Sequence, residues 1–121
     1  TCAAGCITLR LLPEFDPLGA AQCLSQEAVT HTLMVPAMLN WMMGTPGFDQ
    51  LRFPDLRVFA YGAAPMPVPL LARAIDHMRC GFLQGYGLTE TAGVLTILSP
   101  ADHVLEGGVL APPERLASAG R

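Results

Sequence analysis

The chain has 121 residues, of which 51% are apolar and 14% are charged, and its net charge is −3. This length suits one domain that buries about two thirds of the surface of its unfolded chain. The low fraction of charged residues is typical of the interior of a larger domain. Because Lys and Arg form no cluster, the composition argues against nucleic acid and anionic membranes as partners.

Targeting signals and metal motifs are not evident. No apolar run reaches the roughly 20 residues that a membrane helix needs, and the first residues lack the order of a signal peptide. We therefore expect a cytoplasmic protein without a transmembrane segment. The cysteines contain no C-x-x-C pair, so we expect buried free thiols rather than a zinc site at Cys2, Cys6, Cys23 and Cys80.

The first predicted unit is a strand followed by a helix. Small and apolar residues at 3–12, with Ile7, Leu9 and Leu11, suit a strand that Pro13 ends. Asp16 is a suitable N-cap and Pro17 a suitable first helical residue. The helix is indicated by the spacing of its apolar residues, Leu18, Ala21, Leu24 and Ala28.

Two further units follow the same pattern. The β-branched run 29–35 predicts a strand, and Pro36 opens a helix ending at Gly44 that is apolar nearly all round, so it is either buried or lines an apolar pocket. Residues 56–61 predict the next strand. The helix after it has its polar side at Arg73, Asp76 and His77 and its apolar face at Leu70, Leu71, Ala74, Ile75 and Met78.

The last predicted strands are residues 81–84 and 94–98, and from 106 onward we expect loop, or an element whose partner is missing. Strands that alternate with helices need crossover connections, which favour parallel neighbours. We therefore predict an α/β fold built from alternating β-α units with a mainly parallel sheet.

Two strand ends carry small, flexible residues: Tyr61-Gly62-Ala63-Ala64-Pro65 and Gly85-Tyr86-Gly87-Leu88-Thr89-Glu90. In open α/β sheets, ligands bind beyond the carboxyl ends of strands, and glycine lets the backbone approach a ligand closely. In the second segment an aromatic ring, a hydroxyl and a carboxylate offer a flat face, a hydrogen bond and a metal ligand. The two segments are therefore predicted to form two walls of one site.

These two segments resemble the adenylate-forming (AMP-binding) superfamily, most closely a medium- or long-chain fatty-acid acyl-CoA synthetase. The flanks fit as well: Val29-Thr30-His31 with Val35-Pro36-Ala37-Met38-Leu39 before them, and Pro100-Ala101-Asp102-His103 with Ser118-Ala119-Gly120-Arg121 after them. The resemblance covers almost the whole chain, with its segments in the family's order.

The resemblance implies an ATP-dependent ligase that activates a carboxylic acid as its acyl-adenylate and passes the acyl group to a thiol, usually that of coenzyme A. It implies that Thr89 and Glu90 are catalytic and that Glu90 holds Mg²⁺. It places ATP or AMP on Gly62, Ala63, Ala64, Pro65, Gly85, Tyr86, Gly87 and Thr89. It places the acid, expected to be a fatty acid, against Tyr61, Gly62 and Gly87.

Each of these features also has a simpler structural interpretation. A Gly-Tyr-Gly sequence by itself is usually a turn after a strand, and Glu90 by itself is most often a solvated or capping carboxylate. The Met and Trp residues at 38–43 are more often core than pocket. Each histidine is expected to be structural or exposed, at His31, His77 and His103.

Several parts of the family pattern have no counterpart in residues 1–121: the Gly-rich phosphate loop ending in lysine, the Asp that holds the ribose, the hinge and the C-terminal domain with its lysine. We therefore expect a partial N-terminal domain whose partners include the remainder of that domain. Two hypotheses stay open, the central part of an acyl-CoA synthetase and an inactive remnant that at most binds an adenine nucleotide or a protein.

Overall fold

A computed structural model describes residue 5 and residues 7–120. Short 3-10 turns at Phe48–Gln50, Thr89–Thr91 and Glu106–Gly108 connect some of the elements. In chain order the helices and strands are α1 Pro17–Gln26, β1 His31–Met34, α2 Pro36–Gly44, β2 Val58–Gly62, α3 Val68–Met78, β3 Gly81–Leu88, β4 Gly93–Leu98, α4 Pro100–His103, β5 Val104–Leu105, β6 Val109–Leu110 and α5 Pro113–Leu116.

The main sheet has four strands in the order β1-β2-β3-β4. β1, β2 and β3 run parallel, and β4 returns antiparallel beside β3. The prediction of a mainly parallel α/β sheet is confirmed. In the β2–β3 register, Tyr61 lies opposite Gln84 and Gly62 lies opposite Gly85, so the two predicted site segments are neighbours.

One core cluster joins α1, α2 and α3 to the strands β2 and β3. The rings of Phe59 and Phe82 stack within it, with 5.4 Å between their centroids. The opposite face of the sheet is largely open, and Leu33 on β1 is 75% exposed there. The covered face therefore provides the rigidity, while the open face leaves room for a ligand.

The start of α1 forms as the sequence predicts. The Asp16 carboxylate accepts a hydrogen bond of 2.6 Å from the Gly19 N–H, and Pro17 occupies the first turn. The helix ends at Gln26, earlier than its apolar spacing indicates. Ala28 has φ 52° and is exposed, so it lies outside the helix.

We expect Asp16→Ala to lower the free energy of unfolding by about 1 kcal/mol, because the Gly19 N–H loses its acceptor. Urea unfolding followed by circular dichroism measures this change. Asp16→Asn keeps a side-chain oxygen at the same place, so its stability should stay close to that of the wild type. Equal losses in the two variants would show that the cap is not the cause.

The predicted first strand is wrong for residues 7–12, which form no strand in the described structure. Ile7, Leu9 and Leu11 are exposed there because no described strand lies beside them, and the remainder of that prediction, with Cys2 and Cys6, lies outside the described residues. The expectation of free thiols is confirmed for Cys23, which is buried, and for Cys80, which is half-buried.

Two other predictions need correction. β3 continues through Leu88 rather than ending at Gln84, because β4 folds back and pairs with the Gly-rich segment. The region after residue 106 is not only loop, since β6 pairs with β5 in a small antiparallel sheet and α5 follows.

Only one side of helix α2 is buried, at Pro36, Leu39, Met42 and Met43, and Met38 lines a groove on the open face of the sheet. Trp41, on the other side, is 58% exposed, and its ring centroid lies 6.2 Å from that of Phe15. The sequence pattern predicts that His77 lies on the polar side of α3, but its ring lies 4.9 Å from the ring of Phe48, so it partly covers the core. Across residues 7–120, no helix has the length and apolar character needed to span a bilayer.

Candidate functional site

A groove of about 810 Å³ crosses the open face of the sheet at the ends of β2 and β3. We call it the open-face groove. Six predicted site residues line it together: Tyr61, Gly62, Ala63, Gly85, Gly87 and Thr89. The rest of its lining is Leu33, Met34, Val35, Met38, Ala60, Leu83, Leu88, Ala92, Gly93 and Val94.

The open-face groove is apolar. No charged residue lines it in the described part of the chain, and its polar side chains are those of Thr89 and Tyr61. Tyr61 is only 1% exposed, and its hydroxyl bonds to side chains on the covered face. A ligand in the groove would therefore meet mostly apolar side chains, with Thr89 as the lining residue that offers it a hydroxyl.

Two predicted nucleotide-binding residues, Ala64 and Pro65, lie elsewhere. They line a separate groove of about 480 Å³ between α2 and the start of α3, whose polar side chains are Asn40 and Arg73. The segment 61–65 therefore contributes to two neighbouring surfaces, with Gly62 and Ala63 on one and Ala64 and Pro65 on the other.

Tyr86 lies outside the lining of the open-face groove. Alternation along β3 places Leu83 and Gly85 on the groove face, and Gln84 and Tyr86 on the face that carries Phe82. The Tyr86 side chain is 42% exposed, so part of its ring remains available to a ligand that reaches around the end of the strand.

Glu90 is exposed in the 3-10 turn Thr89–Thr91 and also lies outside the groove lining. Within residues 5 and 7–120, no group of three His, Cys, Asp or Glu side chains is placed to hold a metal ion. A single carboxylate still suits Mg²⁺, because this ion is usually held by one or two carboxylates together with water and substrate phosphates.

The glycines of the site differ in what they do. A Cβ at Gly62 would overlap the carbonyl oxygen of Gly85, and a Cβ at Gly87 would overlap that of Gly93. A Cβ at Gly85 would lie 3.5 Å from the nearest Val94 methyl group, which is an ordinary contact. Gly62 and Gly87 are therefore required by the sheet itself, whereas Gly85 keeps the groove floor low.

Thr91 shapes the turn that presents Thr89, a role that is not among the sequence-based predictions. Its hydroxyl accepts from the Leu88 N–H at 2.9 Å and lies 2.8 and 2.9 Å from the Leu88 and Gly93 carbonyl oxygens, to which it can donate. Thr89 is exposed and takes no part in these bonds. A hydroxyl three residues after Leu88 is the signal that could have revealed this role.

A buried polar network backs the site from the covered face. His103 is 0% exposed, and its Nε2 lies 2.8 Å from the Tyr61 hydroxyl, while its Nδ1 lies 2.7 Å from the Ser99 carbonyl oxygen. The Tyr61 hydroxyl also lies 3.2 Å from Oε1 of Gln84. His103 is therefore structural, as expected, but its link to Gln84 and Tyr61 could not be read from the sequence.

Burial sets the protonation of this network. It raises the pKa of Tyr61 above its ordinary value. It also lowers the pKa of His103, against the smaller opposing effects of the Ser99 carbonyl and of Asp102. Both side chains are therefore neutral near pH 7. The Asp102 carboxylate accepts from the Ser99 N–H at 3.2 Å at the start of α4, and also from the Ser99 hydroxyl at 2.6 Å, so Ser99, whose carbonyl oxygen meets His103, is held in place.

Comparison with known proteins gives consistent matches. The chain is 36% identical over 103 residues to the fatty acid–[acyl-carrier-protein] ligase ScoC of Streptomyces coeruleorubidus, covering 85% of this chain and 20% of ScoC. It is 36% identical over 102 residues to the long-chain-fatty-acid–CoA ligase FadD13 of Mycobacterium tuberculosis, covering 84% of this chain and 20% of FadD13. A feruloyl-CoA synthase of Amycolatopsis sp is 35% identical over 99 residues, covering 82% and 20%.

Comparison of structures gives a match over nearly the whole chain. The N-terminal domain of FACL13 from Mycobacterium tuberculosis superimposes with a TM-score of 0.80 at 34% identity, over 99% of this chain and 28% of that one. The chain thus spans 20% of the length of the curated relatives described here. The family model described as "AMP-binding enzyme" matches residues 2–119. The chain therefore belongs to the AMP-binding enzyme family.

Proposed function

We propose that this chain is the central part of an ATP-dependent acid–thiol ligase, which activates a fatty acid as its acyl-adenylate and transfers the acyl group to coenzyme A. Membership of the AMP-binding family supports the use of ATP and of a carboxylic acid. The acid and the acceptor vary among the relatives, whose names include fatty-acid and feruloyl substrates and both coenzyme A and carrier-protein thiols.

The observation that carries the fatty-acid proposal is the apolar open-face groove. Its volume of about 810 Å³ is in the range of small-molecule sites, and hydrocarbon side chains such as Leu33, Val35 and Met38 line it. An alkyl chain gains from such a lining roughly in proportion to the area it buries. An acid with polar groups along its length would lose hydrogen bonds to water without replacing them.

We place the reaction centre where the groove opens at Thr89. A carboxylate oxygen of the acid attacks the α-phosphorus of ATP, the new P–O bond forms, and pyrophosphate leaves with the electrons of the bond that breaks. The exposed Thr89 hydroxyl is free to donate to an α-phosphate oxygen, and Tyr86 offers a ring for stacking at the end of β3. Glu90 would hold Mg²⁺, which neutralises phosphate charge that otherwise repels the carboxylate.

ATP–pyrophosphate exchange on the complete gene product tests this proposal. We expect exchange with medium- and long-chain fatty acids and weaker exchange with ferulate. Exchange with ferulate alone would retain the ligase and reject the fatty acid, and no exchange with any acid would reject the ligase.

We expect Glu90→Ala in the complete gene product to lower exchange by at least about 100-fold, because the metal ion would lose a protein ligand. The matched control is Glu106→Ala, which removes another exposed carboxylate from a different 3-10 turn and should leave the exchange rate unchanged. Equal effects of the two substitutions would contradict the metal-binding role of Glu90.

A second candidate function has its own support. The 121 residues contain no lysine, so this chain by itself cannot supply an ammonium group to the phosphates. It would then act only as a binding module for an adenine nucleotide. Calorimetric titration of the 121-residue chain with ATP and Mg²⁺ tests this, and a flat titration would reject it.

A further inference from the structure

We infer that His103 is a positioning residue, which holds Tyr61 and Gln84 from the covered face and so fixes the spacing of the two strand ends that carry the site. The role of this spacing in nucleotide binding rests on the proposed function. The positions of His103, Tyr61 and Gln84 do not depend on that function.

The first step is the place of the network in the sheet. Tyr61 and Gln84 are paired residues of β2 and β3, and the next pair toward the site is Gly62 with Gly85. Since glycines have no side chains, nothing beyond the backbone holds the strands together at that pair. The link among Tyr61, Gln84 and His103 is therefore the last side-chain connection on the covered face before the glycine pair.

The second step assigns the protons. The Ser99 carbonyl oxygen can only accept, so Nδ1 of His103 must carry a hydrogen. A neutral imidazole has one N–H, which leaves Nε2 as an acceptor for the Tyr61 hydroxyl at 2.8 Å. The phenolic oxygen then has no second hydrogen for the Gln84 amide, whose Oε1 is placed 3.2 Å away, so this assignment requires the amide to be rotated with its NH₂ group donating to Tyr61.

The neutral form of His103 follows from its surroundings. The ring is enclosed by Tyr61 and Phe82, with centroid distances of 5.7 and 6.4 Å, and it is fully buried. The facing charged group is Asp102, whose carboxylate is already engaged by the hydroxyl and N–H of Ser99. The result is a one-directional chain of hydrogen bonds from Gln84 through Tyr61 and His103 to Ser99.

This chain explains why a buried histidine is tolerated. Both ring nitrogens of His103 have a hydrogen-bond partner, so burial of the ring costs little free energy. Removal of one member of the chain leaves its neighbours without a partner. Loss of the Tyr61 hydroxyl would leave both Nε2 of His103 and the Gln84 amide without that partner. The expected consequence is a local loosening at Gly62 and Gly85.

The test is NMR on the ¹⁵N-labelled 121-residue chain. In the wild type, the imidazole spectrum of His103 should show a protonated Nδ1 and an unprotonated Nε2. In Tyr61→Phe, the amide signals of Gly62 and Gly85 should shift or broaden, and ATP should bind about tenfold more weakly. If Tyr61→Phe does not fold, Gln84→Met removes the same link from the β3 side.

The matched control is Phe59→Leu, which alters a buried ring on the same face of β2, two residues before Tyr61. It should lower overall stability without changing the two glycine amides. A proton on Nε2 of the neutral ring, or equal glycine changes in Phe59→Leu and Tyr61→Phe, would overturn the inference. If the wild type shows the expected NMR pattern but binds no ATP, the inference stands and nucleotide binding by this chain is rejected.

Discussion

Gly87→Ala is expected to lower the free energy of unfolding by at least about 3 kcal/mol, whereas Gly85→Ala should change it by less than about 1 kcal/mol. The two glycines lie on the same strand and the same face. At Gly87 the added methyl group would overlap the carbonyl oxygen of Gly93, which is backbone and cannot turn aside. At Gly85 the methyl group would meet Val94 at an ordinary contact distance of 3.5 Å.

Urea unfolding of both variants measures the difference in their free energies of unfolding. Binding measurements with a fatty acid then distinguish loss of stability from narrowing of the groove. Gly85→Ala should fold normally but narrow the open-face groove, so a fatty acid should bind more weakly to the folded variant. In Gly87→Ala the main effect should instead be a lower free energy of unfolding. Similar losses of stability in the two variants would mean that β3 and β4 can separate enough to admit a side chain.

Thr89→Val in the complete gene product is expected to lower ATP–pyrophosphate exchange by about 10²–10³-fold with little change in stability. Thr89 lines the apolar groove and is exposed, so loss of its hydroxyl removes a hydrogen-bond donor without disturbing packing. Thr89→Ser keeps the donor and should retain most of the rate.

Thr91→Val is the informative control. It removes the hydroxyl that bonds to the backbone of Leu88 and Gly93, so it should lower both stability and rate. A Thr89→Val variant that retains the wild-type rate would reject the catalytic role of Thr89. A variant that loses stability as Thr91→Val does would instead assign Thr89 to the turn.

The order of strands and helices from α1 to β4 could be predicted because each of these elements has local signals. Asp16 and Pro17 begin α1, and Pro36 begins α2, where the sequence predicts. The run 7–12 shows where such signals fail. Its composition suits a strand, but a strand needs a neighbour to hydrogen-bond with, and composition does not reveal whether one is present.

Part of the site could also be predicted from local signals. Glycines at the two strand ends indicated a close approach, and the register of β2 and β3 brings them together. The resemblance places the acid against Gly87, which does line the groove, but what a side chain there would meet first is the Gly93 backbone, brought close by the antiparallel return of β4. Similarly, the bond between His103 and Tyr61 joins residues 42 positions apart, which no local pattern encodes.

The open face of the sheet affects how this chain behaves in water. Leu33, Val94 and Ile97 are exposed there without a covering layer, and β1 presents an unpaired edge in the described sheet. Apolar area next to a free strand edge favours self-association between copies. Unfolding and binding experiments on the 121-residue chain should therefore be repeated over a range of protein concentrations, since aggregation would otherwise resemble loss of folding.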